Sequence, residues 1–375
     1  IIILILSTAL LSTMINWPLY YGIKGFKHLF YFFSTFWVIA NGDYTIDTIK
    51  KTMVFMITGA VIASFIGFWE FYHTNELLEL TLLSINGINK TAGYLSIVLF
   101  VCIGIFVDNG SGYSPLIKLF SAASSVVVLV YIFIIGSRGC LLSIAITFIL
   151  LLSIFIFMMK KNWTKKLWIF SFCLLFLSFL LAPVLFYSNI SNSTLLQRLK
   201  RIENTRFTLN PSKMIENDRI RYDIWRTGIM YAINHPSLFG VGPRDFRRLD
   251  FTTSNQRPPV TDAASEWFNK NKVLHAHNWI LTLFIEQGFL GLLWFVTFLI
   301  TITIKILRNR PENSINAVWI ASVAACFLPC ISGLFNSAFS DENGWLTFFV
   351  LGLGIWFVMM PASSENPLPR QKTIF

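Results

Sequence analysis

The chain has 375 residues, of which 55% are apolar and only 13% charged, with a formal charge of +11 and a mean hydropathy of +0.62. A soluble domain is roughly 25% charged, so these values exclude an ordinary water-soluble fold and point to an all-α polytopic membrane protein. In that class a positive balance speaks for basic loops on the cytoplasmic side and a basic outer loop before it speaks for nucleic acid. The 37 Phe and 12 Trp suit lipid-facing and interfacial positions.

A span needs roughly 20 apolar residues. In chain order the apolar runs are 1–16, 28–40, 52–69, 91–107, 118–135, 139–159, 167–187, 277–304, 315–339 and 345–360, about ten in all. The chain opens on IIILILSTALLSTMIN, without Met or a basic leader, and reads as a span cut short at its start. Lys24, Lys27 and His28 crowd the beginning of 28–40. The organisation expected is helices over 1–187, an outer (periplasmic) loop over 188–276, helices over 277–360 and a cytoplasmic tail over 361–375. Orientation follows from KKNWTKK at 160–166 and KILRNR at 305–310, both expected inside with Lys50 and Lys51. That places 188–276 and the turn at Arg138 outside.

The outer loop is itself basic, with Arg198, Lys200, Arg201, Arg206, Arg219, Arg221, Arg226, Arg244, Arg247 and Arg248. It faces either anionic headgroups or an anionic substrate. Ile220, Ile224, Trp225, Ile229 and Ala232 recur at helical spacing. This predicts an amphipathic helix near the membrane surface, capped by Asp218. A structured turn follows at Pro236, Gly240, Gly242 and Pro243.

The cysteines fall in apolar runs, and Cys326 and Cys330, one helical turn apart, read as packing residues rather than a metal or redox pair. No metal site and no cofactor are expected. Neither a phosphate-binding Walker loop nor a nucleophile elbow is present.

The residues able to carry chemistry are few. His277 sits where the loop re-enters the membrane; at a helix start its neutral form is favoured, and it is either a general base or a hydrogen-bonded interfacial histidine. Glu286 lies roughly 13 Å deeper along that helix, where a carboxylate must face the bundle interior, to bind substrate or to meet polar groups of a neighbour. Gly288 and Gly291, at i and i+3, are expected to admit a close helix contact. Arg138, alone in GSRG, either snorkels to headgroups or holds an anion; a guanidinium fork matches phosphate oxygens. Arg219 and Arg221 are placed to complete such a grip, with Arg244 a further candidate.

These residues resemble those of a known family. HNWILTLFIEQGFLG fits a His-Asn pair, nine residues and GxxG, through His277, Asn278, Gly288 and Gly291. The Arg138-Gly139 pair resembles that family's Arg-Gly at the outer end of a span. RYDIWRTGIMYAINHPSLFGVGPRDF resembles its loop signature: Arg221, Trp225 four residues on, then a turn with Pro236, Gly240 and Gly242, then Phe246. The family is that of the O-antigen ligases, with their polymerase and protein O-oligosaccharyltransferase relatives. The resemblance implies a GT-C-like membrane fold of about twelve helices, against the ten or so that a roughly 20-residue span length finds here. It implies a metal-independent, inverting glycosyl transfer at the outer face of a bacterial inner membrane, without cofactor. The donor would be an O-antigen polysaccharide on undecaprenyl pyrophosphate and the acceptor lipid A–core, among membrane lipids and with no nucleic acid. His277 would act as base and Arg138 and Arg221 would hold the pyrophosphate. Arg219, Asn278, Arg244 and Glu286 would line the substrate.

A polymerase would use another lipid-linked glycan as acceptor. A protein O-oligosaccharyltransferase is expected to carry more C-terminal periplasmic sequence. A transporter should show broken helices at matching positions in two halves, and the sequence shows no such symmetry.

Overall fold

In the computed structural model the residues described are 1–16, 19–74, 88–109, 112–135, 137–158, 211–244, 246, 276–309, 316–334, 339 and 341–360. They form ten helices and no strand: α1 (Ile2–Ile15), α2 (Leu19–Asn41), α3 (Ile46–Thr74), α4 (Ile88–Val107), α5 (Pro115–Ile135), α6 (Arg138–Met158), α7 (Pro211–Asn234), α8 (Trp279–Arg308), α9 (Ala317–Ser332) and α10 (Asp341–Val358). The expected span 167–187, the lysine cluster at 160–166, the arginines at 198–206, 247 and 248 and the tail from 361 lie outside the described residues.

Four helices are long and apolar enough to cross a membrane: Ile46–Trp69 within α3, Asn89–Val107 within α4, α5 and α8. Ile2–Ile15, Gly139–Phe155, Ala317–Ser332 and Asn343–Val358 are apolar but shorter. The chain is therefore an all-helical, multi-pass membrane protein. The centre of the bundle is α4 and α9. α9 packs on α4, α6, α8 and α10, and α4 on α3, α5, α6, α9 and α10. Nearly every side chain of α9 is buried, while α3 and α5 turn Phe55, Ile62, Phe65, Leu116 and Leu119 outward. An apolar rim of that kind is a liability in water and a match for lipid. An aromatic cluster of Phe33, Phe36, Phe295, Phe298 and Phe348 joins α2, α8 and α10 edge to face.

Three boundaries differ from expectation. α2 begins at Leu19, because Lys24, Lys27 and His28 ride on the helix instead of preceding it; Lys27 lies 5.4 Å over the Tyr31 ring. The run 315–339 is helical only to Ser332, with Pro329 inside the last turn and Gly333 as the cap. The amphipathic helix of the loop starts at Pro211, so Asp218 falls inside α7 rather than at its cap. A proline suits the first helical position because its missing N–H is one the helix could not use.

Successive helices reverse, so the bundle has two distinct ends. At one, the Lys118 ammonium donates to the Asp108 carbonyl and the Asp108 carboxylate accepts from the Ala317 N–H at 2.7 Å. Asn316 caps α9 with its own side chain, and the Trp319 indole donates to the Ile306 carbonyl at 3.0 Å. Lys50 lies 5.5 Å over the buried Tyr113 ring. Burial, and then the Asp108 carboxylate, push the Tyr113 hydroxyl above its ordinary pKa, so it stays protonated. Lys50, Lys51, Lys118, Lys305 and Arg308 thus gather at this end. The starts of α6 and α8, the end of α9 and the second half of α7 lie at the other.

Candidate functional site

His277 stands two residues before the first residue of α8. Asn278 is the helix cap, and its side-chain oxygen accepts from the Leu281 N–H at 3.1 Å. The Trp279 N–H donates to the Gly333 carbonyl at 2.8 Å and its indole to the Cys330 carbonyl at 3.1 Å, which seats the start of α8 on the end of α9. On the other flank the Trp225 indole of α7 donates to the Ala276 carbonyl at 2.8 Å, and the Ala276 N–H donates to the Thr282 hydroxyl at 3.1 Å. His277 itself is half-buried and has φ 51. Arg244 has φ 64, and these two are the non-glycine residues with positive φ among those described. A left-handed conformation costs a side-chain-bearing residue about 1 kcal/mol or more and persists only where its surroundings impose it. Both positions belong to the residues singled out for chemistry.

Glu286 is buried, as expected, whereas the glycine pair serves a different purpose from the one expected. Gly288 has φ 71 and ψ −171, a conformation open in practice to glycine alone, and α8 breaks there. The break frees the carbonyls of Ile285 and Glu286 and the amides of Phe289 and Leu290. The turn at 237–242 supplies partners for all four. The Val241 N–H donates to the Ile285 carbonyl at 2.9 Å and the Gly242 N–H to the Glu286 carbonyl at 2.9 Å. Phe289 and Leu290 donate to the carbonyls of Ser237 and Leu238 at 3.1 and 3.2 Å. The turn is thus spliced into the helix in place of its missing bonds, which is how a broken helix satisfies its backbone where water is scarce. The approach is too close for side chains. A Cβ on Gly288 would come within 2.4 Å of the Leu238 carbonyl, and one on Gly240 (φ 70) within 2.5 Å of the Ile285 carbonyl. So Gly288 admits a loop backbone and not a second helix. The atoms nearest a Cβ on Gly291 belong to the Gln287 side chain of the preceding turn.

α1 closes the other side of the splice. The Ser12 hydroxyl donates to the Glu286 carbonyl at 3.1 Å, and the Asn16 amide to the Gly240 carbonyl at 3.0 Å. Gly25 of α2 lies against Pro243, where a Cβ would meet the proline carbonyl at 2.6 Å. The Ser237 hydroxyl accepts from the N–H groups of Phe239 and Gly240 at 3.2 and 2.9 Å and sets the turn. Beneath it Ile224, Phe246, Ala276 and Ile285 form a small core of their own. Phe246 is fully buried there, which gives the aromatic of the loop signature a packing role. The expected apolar stripe of α7 divides: Ile224 is buried, while Ile229 is exposed. Burial raises the pKa of the Tyr231 hydroxyl above its ordinary value, so it too remains neutral.

Arg138 and Gly139 are the first two residues of α6. Ser137, just before them, donates from its hydroxyl to the Asn89 side chain at 2.8 Å, and Cys140 lies 3.8 Å from the Asn89 carbonyl. α9 packs between α6 and α8, so the starts of both helices flank its end and Arg138 and His277 share one end of the bundle. Arg219 and Arg221 lie on α7, Arg221 one turn before Trp225. For Arg138, Arg219 and Arg221 only the main-chain position is described. Cys326 and Cys330 are free thiols packed within α9.

The O-antigen ligase family model matches residues 123–296. Over that stretch, a little under half of its length, the chain is similar to the O-antigen ligases. No curated protein matches it. The matched stretch runs from α5 through Arg138, α7, the spliced turn and His277 to just beyond the break in α8, and so contains every candidate residue. Ser12, Asn16 and the α9 end that seats Trp279 lie outside it, although they hold the candidate site together. The sequence did not single them out: a serine and an asparagine in apolar helices carry no signal until the partner backbone is in place.

Proposed function

We propose that the chain transfers a polysaccharide from undecaprenyl pyrophosphate to a sugar hydroxyl of lipid A–core at the periplasmic face of a bacterial inner membrane. His277 takes the acceptor proton as the hydroxyl attacks the anomeric carbon with inversion. Arg138 and Arg221 hold the pyrophosphate and stabilise the charge that grows as it leaves, while Arg219, Asn278, Arg244 and Glu286 line the substrate. Cations fixed in place before the reaction cost no reorganisation during it, which lets a pyrophosphate leave without metal. The observation that carries the reading is the single bundle end where the family match runs. It joins His277, held at a positive φ at the head of α8, to the Arg138 end of α6. The lysines at the other end favour a cytoplasmic placement there.

The test is transfer by purified protein with defined lipid-linked donor and lipid A–core, in EDTA. Polymer-capped lipid A–core is the expected product. Elongation of the lipid-linked glycan instead would make the chain a polymerase, and modified protein would make it an O-oligosaccharyltransferase. In cells, deletion should remove the lipopolysaccharide ladder while lipid-linked polymer accumulates.

A further inference from the structure

We infer that Trp225 is the positioning residue for His277, tying the helix that carries Arg221 to the main chain of the proposed base; this rests on the reading of His277 given above. Ala276, the residue before His277, is held at both of its main-chain polar groups. The Ala276 carbonyl accepts from the Trp225 indole at 2.8 Å, and the Ala276 N–H donates to the Thr282 hydroxyl at 3.1 Å. The residues after it are held by the Asn278 cap and by the Trp279 N–H on the Gly333 carbonyl. His277, at φ 51, is the strained residue between two fixed ones.

Of these ties one alone comes from another helix of the matched stretch. Thr282 and the Asn278 cap belong to α8 itself, and Gly333 to the end of α9. Trp225 reaches across from α7, over the small core in which Ala276 and Ile224 are buried together. Arg221 precedes Trp225 by one turn and shares its edge of the helix. The indole N–H therefore fixes the register between the arginine edge of α7 and the imidazole. A displacement of about 1 Å between reacting groups lowers rates by roughly two orders of magnitude, so a single hydrogen bond at this point governs rate more than binding.

The experiment replaces Trp225 by benzothienylalanine, which keeps the bicyclic shape and removes the N–H, alongside Trp225→Phe. Two readouts are taken on the full chain in detergent or nanodiscs. Hydrogen exchange of the amides at 276–279 reports the tie without reference to activity; it should speed up about tenfold, the worth of one such hydrogen bond. Turnover on lipid-linked donor and lipid A–core should fall by about tenfold or more with KM for the donor unchanged. Unaltered exchange with benzothienylalanine overturns the tie, and so does wild-type turnover despite faster exchange. Should Trp225→Phe fail to fold while the benzothienylalanine chain folds, the second alone decides. If His277→Ala leaves transfer intact, the base reading falls separately, and the exchange measurement then judges Trp225 by itself.

Discussion

The two ends of the bundle are built by different means. At the Asp108 end, helices start and stop by ordinary rules: side-chain caps from Asn316 and Asp108, a lysine on a carbonyl, an indole on a carbonyl. At the His277 end, an asparagine cap and indole–carbonyl bonds recur, but main chain also meets main chain. A turn supplies four hydrogen bonds in place of two missing helical ones, three glycines have positive φ (Gly240, Gly242 and Gly288), and two non-glycine residues are held there as well. Side-chain caps tolerate substitution at modest cost. A backbone splice does not at Gly240 and Gly288, where no Cβ fits. Strain is stored where the candidate chemistry lies, the pattern expected when geometry serves a reaction rather than stability.

That contrast can be broken or sharpened by substitution. The largest effect is expected from His277→Ala, which should lower transfer by about 100-fold or more, the range of a lost general base. Membrane yield should hold, and so should thermal stability, since relief of the left-handed φ requires glycine. Transfer within a few-fold of wild type would reduce His277 to a structural residue. Gly288→Ala should cost about 3 kcal/mol or more, because both its φ and the Leu238 carbonyl at 2.4 Å exclude a side chain. It is measured as a lowered melting temperature in detergent, and an unchanged one would mean the splice is not maintained in solution. Arg138→Lys keeps the charge and loses the fork; a reduction in turnover of about tenfold is expected if the guanidinium grips phosphate oxygens. Normal turnover would make it a headgroup anchor.

At the opposite end the expected changes are smaller and confined to stability. Asp108→Ala removes the acceptor for the Ala317 N–H at 2.7 Å and should cost about 1–2 kcal/mol. Turnover per folded molecule should be unaffected; a fall in kcat would show that α9 relays the state of that end to the Gly333 seat of α8. Lys51→Ala breaks an exposed pair with Asp47 at 2.7 Å, one turn apart, and should change stability by less than about 0.5 kcal/mol. A larger loss would assign Lys51 a contact beyond that pair.

Sequence by itself determined the class, the apolar runs and the candidate residues, because each rests on composition or on spacing along one segment. Membrane helices must satisfy their own backbone, so hydropathy locates them. A histidine, a lone arginine and a turn rich in Pro and Gly stand out from apolar surroundings without reference to any fold. Tertiary structure alone decided what the glycines and Trp225 are for. Gly288 and Gly291 have the spacing of a helix contact, and nothing local distinguishes that from a break filled by a turn 50 or so residues earlier in the chain, a pairing of backbones rather than of side-chain patterns. Likewise Trp225 fits an apolar stripe by periodicity, and only the carbonyl of Ala276 beside its indole reveals a directional bond. Periodicity records which face is buried; it holds no record of which backbone group, from which distant segment, lies against that face.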